Sequence, residues 1–205
     1  MKKLFLVSSV LLLLTNCGKD PKKDENSNSI SDAIGGMKNI NNLSNSMEDI
    51  TKRAEELKKL TPLTNDELKA VIPESVLGLK RTSISVGDNM MMKISSAEAE
   101  YKDDVNKKIK ISITDGAGET GSAMITMLMM GFSTNSEKTT ETSSEKMGEF
   151  NGVKASVKDN KDGENVDSEI QYILKDRYLI SIDGDGYTSE DLKKVMDMIK
   201  DSNLK

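Results

Sequence analysis

Lys108-Ile109-Lys110-Ile111-Ser112-Ile113-Thr114 alternates without a break. Successive side chains of a strand leave on opposite sides. The three isoleucines therefore share one face, and Lys108, Lys110, Ser112 and Thr114 share the other. A strand with one dry and one wet face belongs to an antiparallel sheet covered on a single side.

The reading extends outward from that strand. Upstream, residues 97–103 pair with 108–114 as a hairpin around Asp104-Val105-Asn106-Lys107. Leu79 to Val86 reads as a strand following Gly78. Before it, Thr64-Asn65-Asp66-Glu67 is a capping box that opens a short helix with Leu68, Val71 and Ile72 on its apolar side. Pro73 stops that helix. Downstream, Asp115-Gly116-Ala117-Gly118 ends the strand, and a helix is expected from Thr120 to Met130. It holds Ala123, Met124, Ile125, Met127, Leu128, Met129 and Met130. It is apolar nearly all round, which predicts burial, and it is too short to span a bilayer.

The second half repeats the theme. Ser133 to Lys146 is polar and fits a loop or an edge strand. Asn151-Gly152 signals a tight turn between a strand ending near Phe150 and one holding Val153, Ala155 and Val157. Asp159-Asn160-Lys161-Asp162-Gly163 reads as another turn. Residues 167–174 and 177–182 alternate, with Ile170, Tyr172 and Leu174, then Tyr178, Ile180 and Ile182, on the dry side. A last helix opens near Thr188, with Asp191 three residues on, and buries Leu192, Val195, Met196 and Ile199.

The expected fold class is α+β, an antiparallel sheet with two main helices on one face, occupying residues 62–203. In the order of its elements across 75–203 it resembles the photosystem PsbP and Mog1 proteins. No motif of that family matches residue by residue, so no functional residue is carried over.

Three further segments precede this domain. Lys2 and Lys3 lead an apolar run, Leu4 to Leu14, that ends at Leu14-Thr15-Asn16-Cys17. A basic start and a short greasy core are an export signal. Cys17 is the one cysteine of the 205 residues. The arrangement resembles a bacterial lipoprotein signal, and the Asn16 before the cysteine is similar to the looser boxes accepted in Bacteroidetes lipoproteins. That resemblance implies removal of residues 1–16, acylation of Cys17 and membrane lipid as a partner through it. Residues 17–45, rich in Asn and Ser, then serve as a flexible tether. Residues 46–61 form an amphipathic helix capped by Ser46, with Met47, Ile50, Ala54, Leu57 and Leu60 as a narrow stripe. The expected location is the cell envelope, with inner membrane, outer membrane and surface left open.

Net charge is −5, and loss of residues 1–16 removes two more positive charges. An acidic chain is a poor match for phosphate backbones, so nucleic acid is not an expected partner. The chain has no histidine. No Ser sits in a G-x-S-x-G turn and no Gly-rich segment carries the Lys-Ser/Thr of a phosphate loop. The expectation is a non-enzyme without cofactors, a binding module for an envelope protein or glycan, or else a carrier of a lipid or other apolar ligand. Asp183-Gly184-Asp185-Gly186 is the best metal motif. Set as a calcium loop, it places Leu192 where the bidentate Glu is needed, so Asp183 and Asp185 are weak candidates read as a strand-to-helix turn. The 13 methionines suit cuprous ion in principle, but core packing explains them better, and a Met-rich helix against a one-sided sheet can line an apolar cavity.

Overall fold

The first described element is helix α1, residues 47–58, in a computed structural model that describes residues 47–89, 94–103, 107–150, 152–199 and 201–205. The expected signal, Cys17, the tether and the Ser46 cap lie outside the described residues. Helix α2, Asn65–Val71, opens with the expected capping box: the Thr64 hydroxyl accepts from the Glu67 N–H, and the Glu67 carboxylate accepts from the Thr64 N–H at 2.8 Å. Strands β1 (Ser75–Val76), β2 (Leu79–Asn89), β3 (Ile94–Lys102) and β4 (Lys108–Asp115) form a meander. Leu77 and Gly78 both take positive φ, +48° and +84°, the turn that matches the twist of a two-residue hairpin.

Helix α3, Gly118–Phe132, crosses to a second meander: β5 (Ser136–Thr139), β6 (Ser143–Phe150), β7 (Val153–Asp162), β8 (Asn165–Leu174) and β9 (Tyr178–Asp185). Helix α4, Ser189–Met196, is capped by Thr188, and a 3-10 turn, Asp201–Asn203, follows. The two meanders join where β4 pairs with β9, giving one nine-stranded antiparallel sheet in the order β1-β2-β3-β4-β9-β8-β7-β6-β5.

Register explains the dry face. Ala99, Ile111, Ile182, Ile170 and Val157 stand in one row across five strands, and Ala97, Ile113, Ile180, Tyr172 and Ala155 in the next. All ten are buried. Leu68 and Val71 of α2 and Leu192, Val195 and Met196 of α4 close over them, so this is an α+β fold with helices against a large antiparallel sheet. The opposite face carries Glu100, Lys110, Asp183, Glu169, Lys158, Glu145 and Lys138 in a single row. Lys158 Nζ lies 3.7 Å from Glu169 and 3.8 Å from Glu145.

Two sequence expectations change, and one open alternative is settled. β7 runs on through Asp159–Asp162, and the turn falls at Gly163, φ +61°. The polar stretch from Ser133, open between loop and edge strand, contains β5, an edge strand exposed at all four residues. Helix α3 is not buried all round. Gly121, Ser122, Ile125 and Phe132 form its covered stripe, while Met127 is 77% exposed and Met130 38%. Apolar composition made the helix look enclosed, yet cover depends on what packs beside it, and α1 and the sheet reach only one side.

Candidate ligand cleft

The side of α3 that packs is set by two close approaches. A Cβ at Gly116 would fall 2.3 Å from Ile125 Cγ1 and 2.6 Å from the Arg177 carbonyl oxygen, so only glycine lets the β4–α3 corner close. Helix α1 lies along the neighbouring flank. Its Lys58 is 3.7 Å from Glu119 near the start of α3. Its Ile50 shares a hollow with Met129 and Phe132 near the end of α3, so the two helices run antiparallel. Ile50 and Leu57 of the predicted stripe are buried, whereas Met47 and Leu60 are exposed.

That hollow is a cleft of about 330 Å³ at the end of the sheet where β7 begins and β8 stops. Its apolar walls are Ile50, Met129, Phe132, Val153 and Ile173. Lys154, Lys175 and Asp176 also line it. The volume sits at the low end of ordinary small-molecule sites. Val153 is shared with a second hollow of about 270 Å³ under α4, lined by Tyr172, Leu174, Met196 and Ile199 with Asp197 and Asp201. Burial pushes the Tyr172 hydroxyl pKa upward, and the charges of those two acids add to the shift.

The β8–β9 turn beside the cleft is strained. Lys175 and Asp176 have φ of +54° and +52°, a region that suits glycine better than either residue. Contacts hold them there. Arg53 Nη2 donates to the Lys175 carbonyl at 2.9 Å, and Lys175 Nζ donates to the Leu204 carbonyl at 2.6 Å. Strain kept by surrounding contacts is found preferentially at ligand sites. Arg53 Nε is buried and has no hydrogen-bond partner among the described residues. Such an N–H is costly to leave unmade.

Asp183 and Asp185 lie elsewhere. Both stand inside β9 on the polar sheet face, and only Gly186, φ +78°, begins the turn to α4, which corrects the strand-to-helix turn reading. Asp183 is directly opposite Glu169 and Asp185 opposite Asp167. Burial raises the Asp183 pKa, Lys110 offsets part of the rise, and Glu169 adds to it. Among the described residues no cluster of three or more His, Cys, Asp or Glu is placed to hold a metal ion. Met129 was the one cleft residue on the helix singled out as a cavity liner. Phe132, Val153 and Ile173 carried no shared signal, because they come from α3, β7 and β8 and meet only in the fold.

Comparison with protein-family models, with curated proteins and with solved structures gives no match. Among the described residues no helix is long and apolar enough to cross a membrane.

Proposed function

We propose that this chain is a lipid-anchored, non-catalytic binding module of a bacterial cell envelope, and that the cleft between α1 and α3 receives an apolar group of its partner. The anchor is acylated Cys17, a Bacteroidetes-like lipoprotein cysteine, and residues 17–45 are the tether. In the order of its elements the domain is read as similar to PsbP and Mog1 proteins. One observation carries the recognition part of the reading. Five apolar side chains line a strained, half-open hollow, and Met127 and Met130 stay exposed on the same helix. Flexible thioethers suit a surface that accepts irregular apolar partners.

A tether adds force to such a module. It raises the local concentration of the domain against partners on the same membrane. One acyl chain holds weakly and two or more hold firmly.

Two measurements test the proposal. Metabolic palmitate labelling should mark the wild-type chain and fail on Cys17→Ser, which should leave the membrane fraction. Labelling that persists in the variant refutes the anchor. A photoreactive methionine analogue at Met127 and Met130 should crosslink one dominant envelope protein in intact cells. The volume of the cleft favours a second reading, a carrier of a lipid or other apolar ligand. In that case native mass spectrometry recovers a bound small molecule and Phe132→Ala releases it.

A further inference from the structure

The two edges of the sheet are unlike. β5 is four residues long, exposed throughout, with Glu137 and Lys138 at its centre. Short charged edges discourage further pairing. β2 is eleven residues long, and β1 pairs only with its Leu79 and Lys80. The Arg81 N–H donates to the Glu74 carbonyl at 2.9 Å. From Thr82 onward no described strand pairs with the outer side of β2. The segment Thr82-Ser83-Ile84-Ser85-Val86-Gly87 contains no charged residue and no proline. The register with β3 shifts between Arg81 and Ser83, and beyond that irregularity Ser83 to Gly87 pairs regularly with β3, an uncharged edge between the shift and Asp88.

This segment is complementary to itself. Face and hydrogen-bonding direction alternate together along a strand. Ile84 and Val86 pack toward the same core as Leu79, whose backbone faces outward to β1, so their N–H and C=O groups also point outward. An antiparallel copy centred on Ser85 sets Ile84 against Val86 of the second copy, twice over. Ser85 then meets Ser85, and Ser83 meets Gly87. Apolar pairs fall on the helix side, and small residues fall on the polar side. The relation is twofold and closes on itself.

We propose that β2 pairs with β2 of a second copy of this chain, joining two nine-stranded sheets into one. A second copy finds its own register.

The register supplies the test. Opposed residues of an antiparallel pair have Cα atoms about 4.5–5.5 Å apart, within the span of a disulfide. Ser85→Cys in the full chain, oxidised in native membranes, should give a disulfide-linked homodimer. Ser83→Cys should not, because its own counterpart lies four residues away along the strand, about 13 Å. The parent chain, with Cys17 alone, is the blank. In cells expressing two differently tagged copies, Ser85→Lys or Ser85→Glu alone should cut co-purification about tenfold, since like charges then oppose across the axis. Expressing one Ser85→Lys copy together with one Ser85→Glu copy should recover it. Crosslinking by Ser83→Cys equal to that by Ser85→Cys, a monomeric Ser85→Cys chain, an adduct with another protein, or charge variants that co-purify unchanged would each overturn the pairing.

Discussion

Arg177 donates from Nε and Nη2 to the two carboxylate oxygens of Asp115, at 2.7 and 2.8 Å, with both side chains buried. The same carboxylate accepts from the N–H groups of Leu63 at 2.7 Å and Ala117 at 2.9 Å. Arg177 Nη2 also donates to the Thr61 carbonyl at 3.0 Å and the guanidinium stacks 4.8 Å from the Tyr178 ring centre. Burial alone would lower the Arg177 pKa, but the hydrogen bonds and charge of Asp115 reverse it and the net shift is upward.

Removing one partner leaves the other charge buried and alone. Arg177→Met is expected to destabilise the chain by about 3–5 kcal/mol. Arg177→Met with Asp115→Leu should cost less than the sum of the two single changes. Urea denaturation of all four chains measures the coupling. Strict additivity would mean the pair acts as two independent groups.

Glycine matters at the β4–α3 corner and not at the far end of α3. Gly116→Ala forces a methyl into Ile125 and the Arg177 carbonyl and should cost about 2 kcal/mol or more. At Gly131 a new Cβ meets nothing within 4 Å, so Gly131→Ala should stabilise by about 0.5–1 kcal/mol. Thermal melts of the two variants should move in opposite directions.

Asp183 should be a stability liability at neutral pH. Its pKa is raised on folding, so proton loss costs stability as pH climbs above the ordinary value of 3.8. Asp183→Asn is expected to raise the denaturation midpoint at pH 7 and to leave it unchanged at pH 3. A variant less stable at pH 7 would show that the carboxylate is needed by its neighbours.

Glu67 behaves in the opposite sense. Its pKa falls to about 2, first through the hydrogen bond from Lys205 and then through those from the Thr64 backbone and hydroxyl. Its contribution is therefore whole above pH 4.5 and fades as pH drops toward about 2. The gap between wild type and Glu67→Gln in urea midpoint should be constant from pH 7 to 5 and narrow steadily below. A gap independent of pH would remove the carboxylate from the cap.

The alternation at Lys108–Thr114 was legible because one face of β4 meets helices and the other meets water. The caps at Thr64 and Thr188 were legible because they are local. The end of β7 was not. Asn160–Asp162 is polar because it runs past the covered rows, Asp159 is polar because it accepts from Ser189 at the start of α4, and polarity there imitates a turn. The exposure of Met127 was hidden for the converse reason, since apolar residues advertise burial whether or not a neighbour arrives. The Asp115–Arg177 pair joins residues far apart in sequence, and the cleft gathers walls from α1, α3, β7 and β8. Neither has a local signature.

Thr61 and Leu63 are tied through Asp115 and Arg177 to β4 and to the entry of β9, the strands at the seam of the two meanders. Traction on the chain from its N-terminal side, once α1 is dragged off, is thus delivered to the middle of the sheet and not to a rim. A sheet gripped at its rim unzips one ladder rung at a time. Gripped at its centre, it must shear many rungs at once, and such a pull meets the domain at its mechanically hardest point.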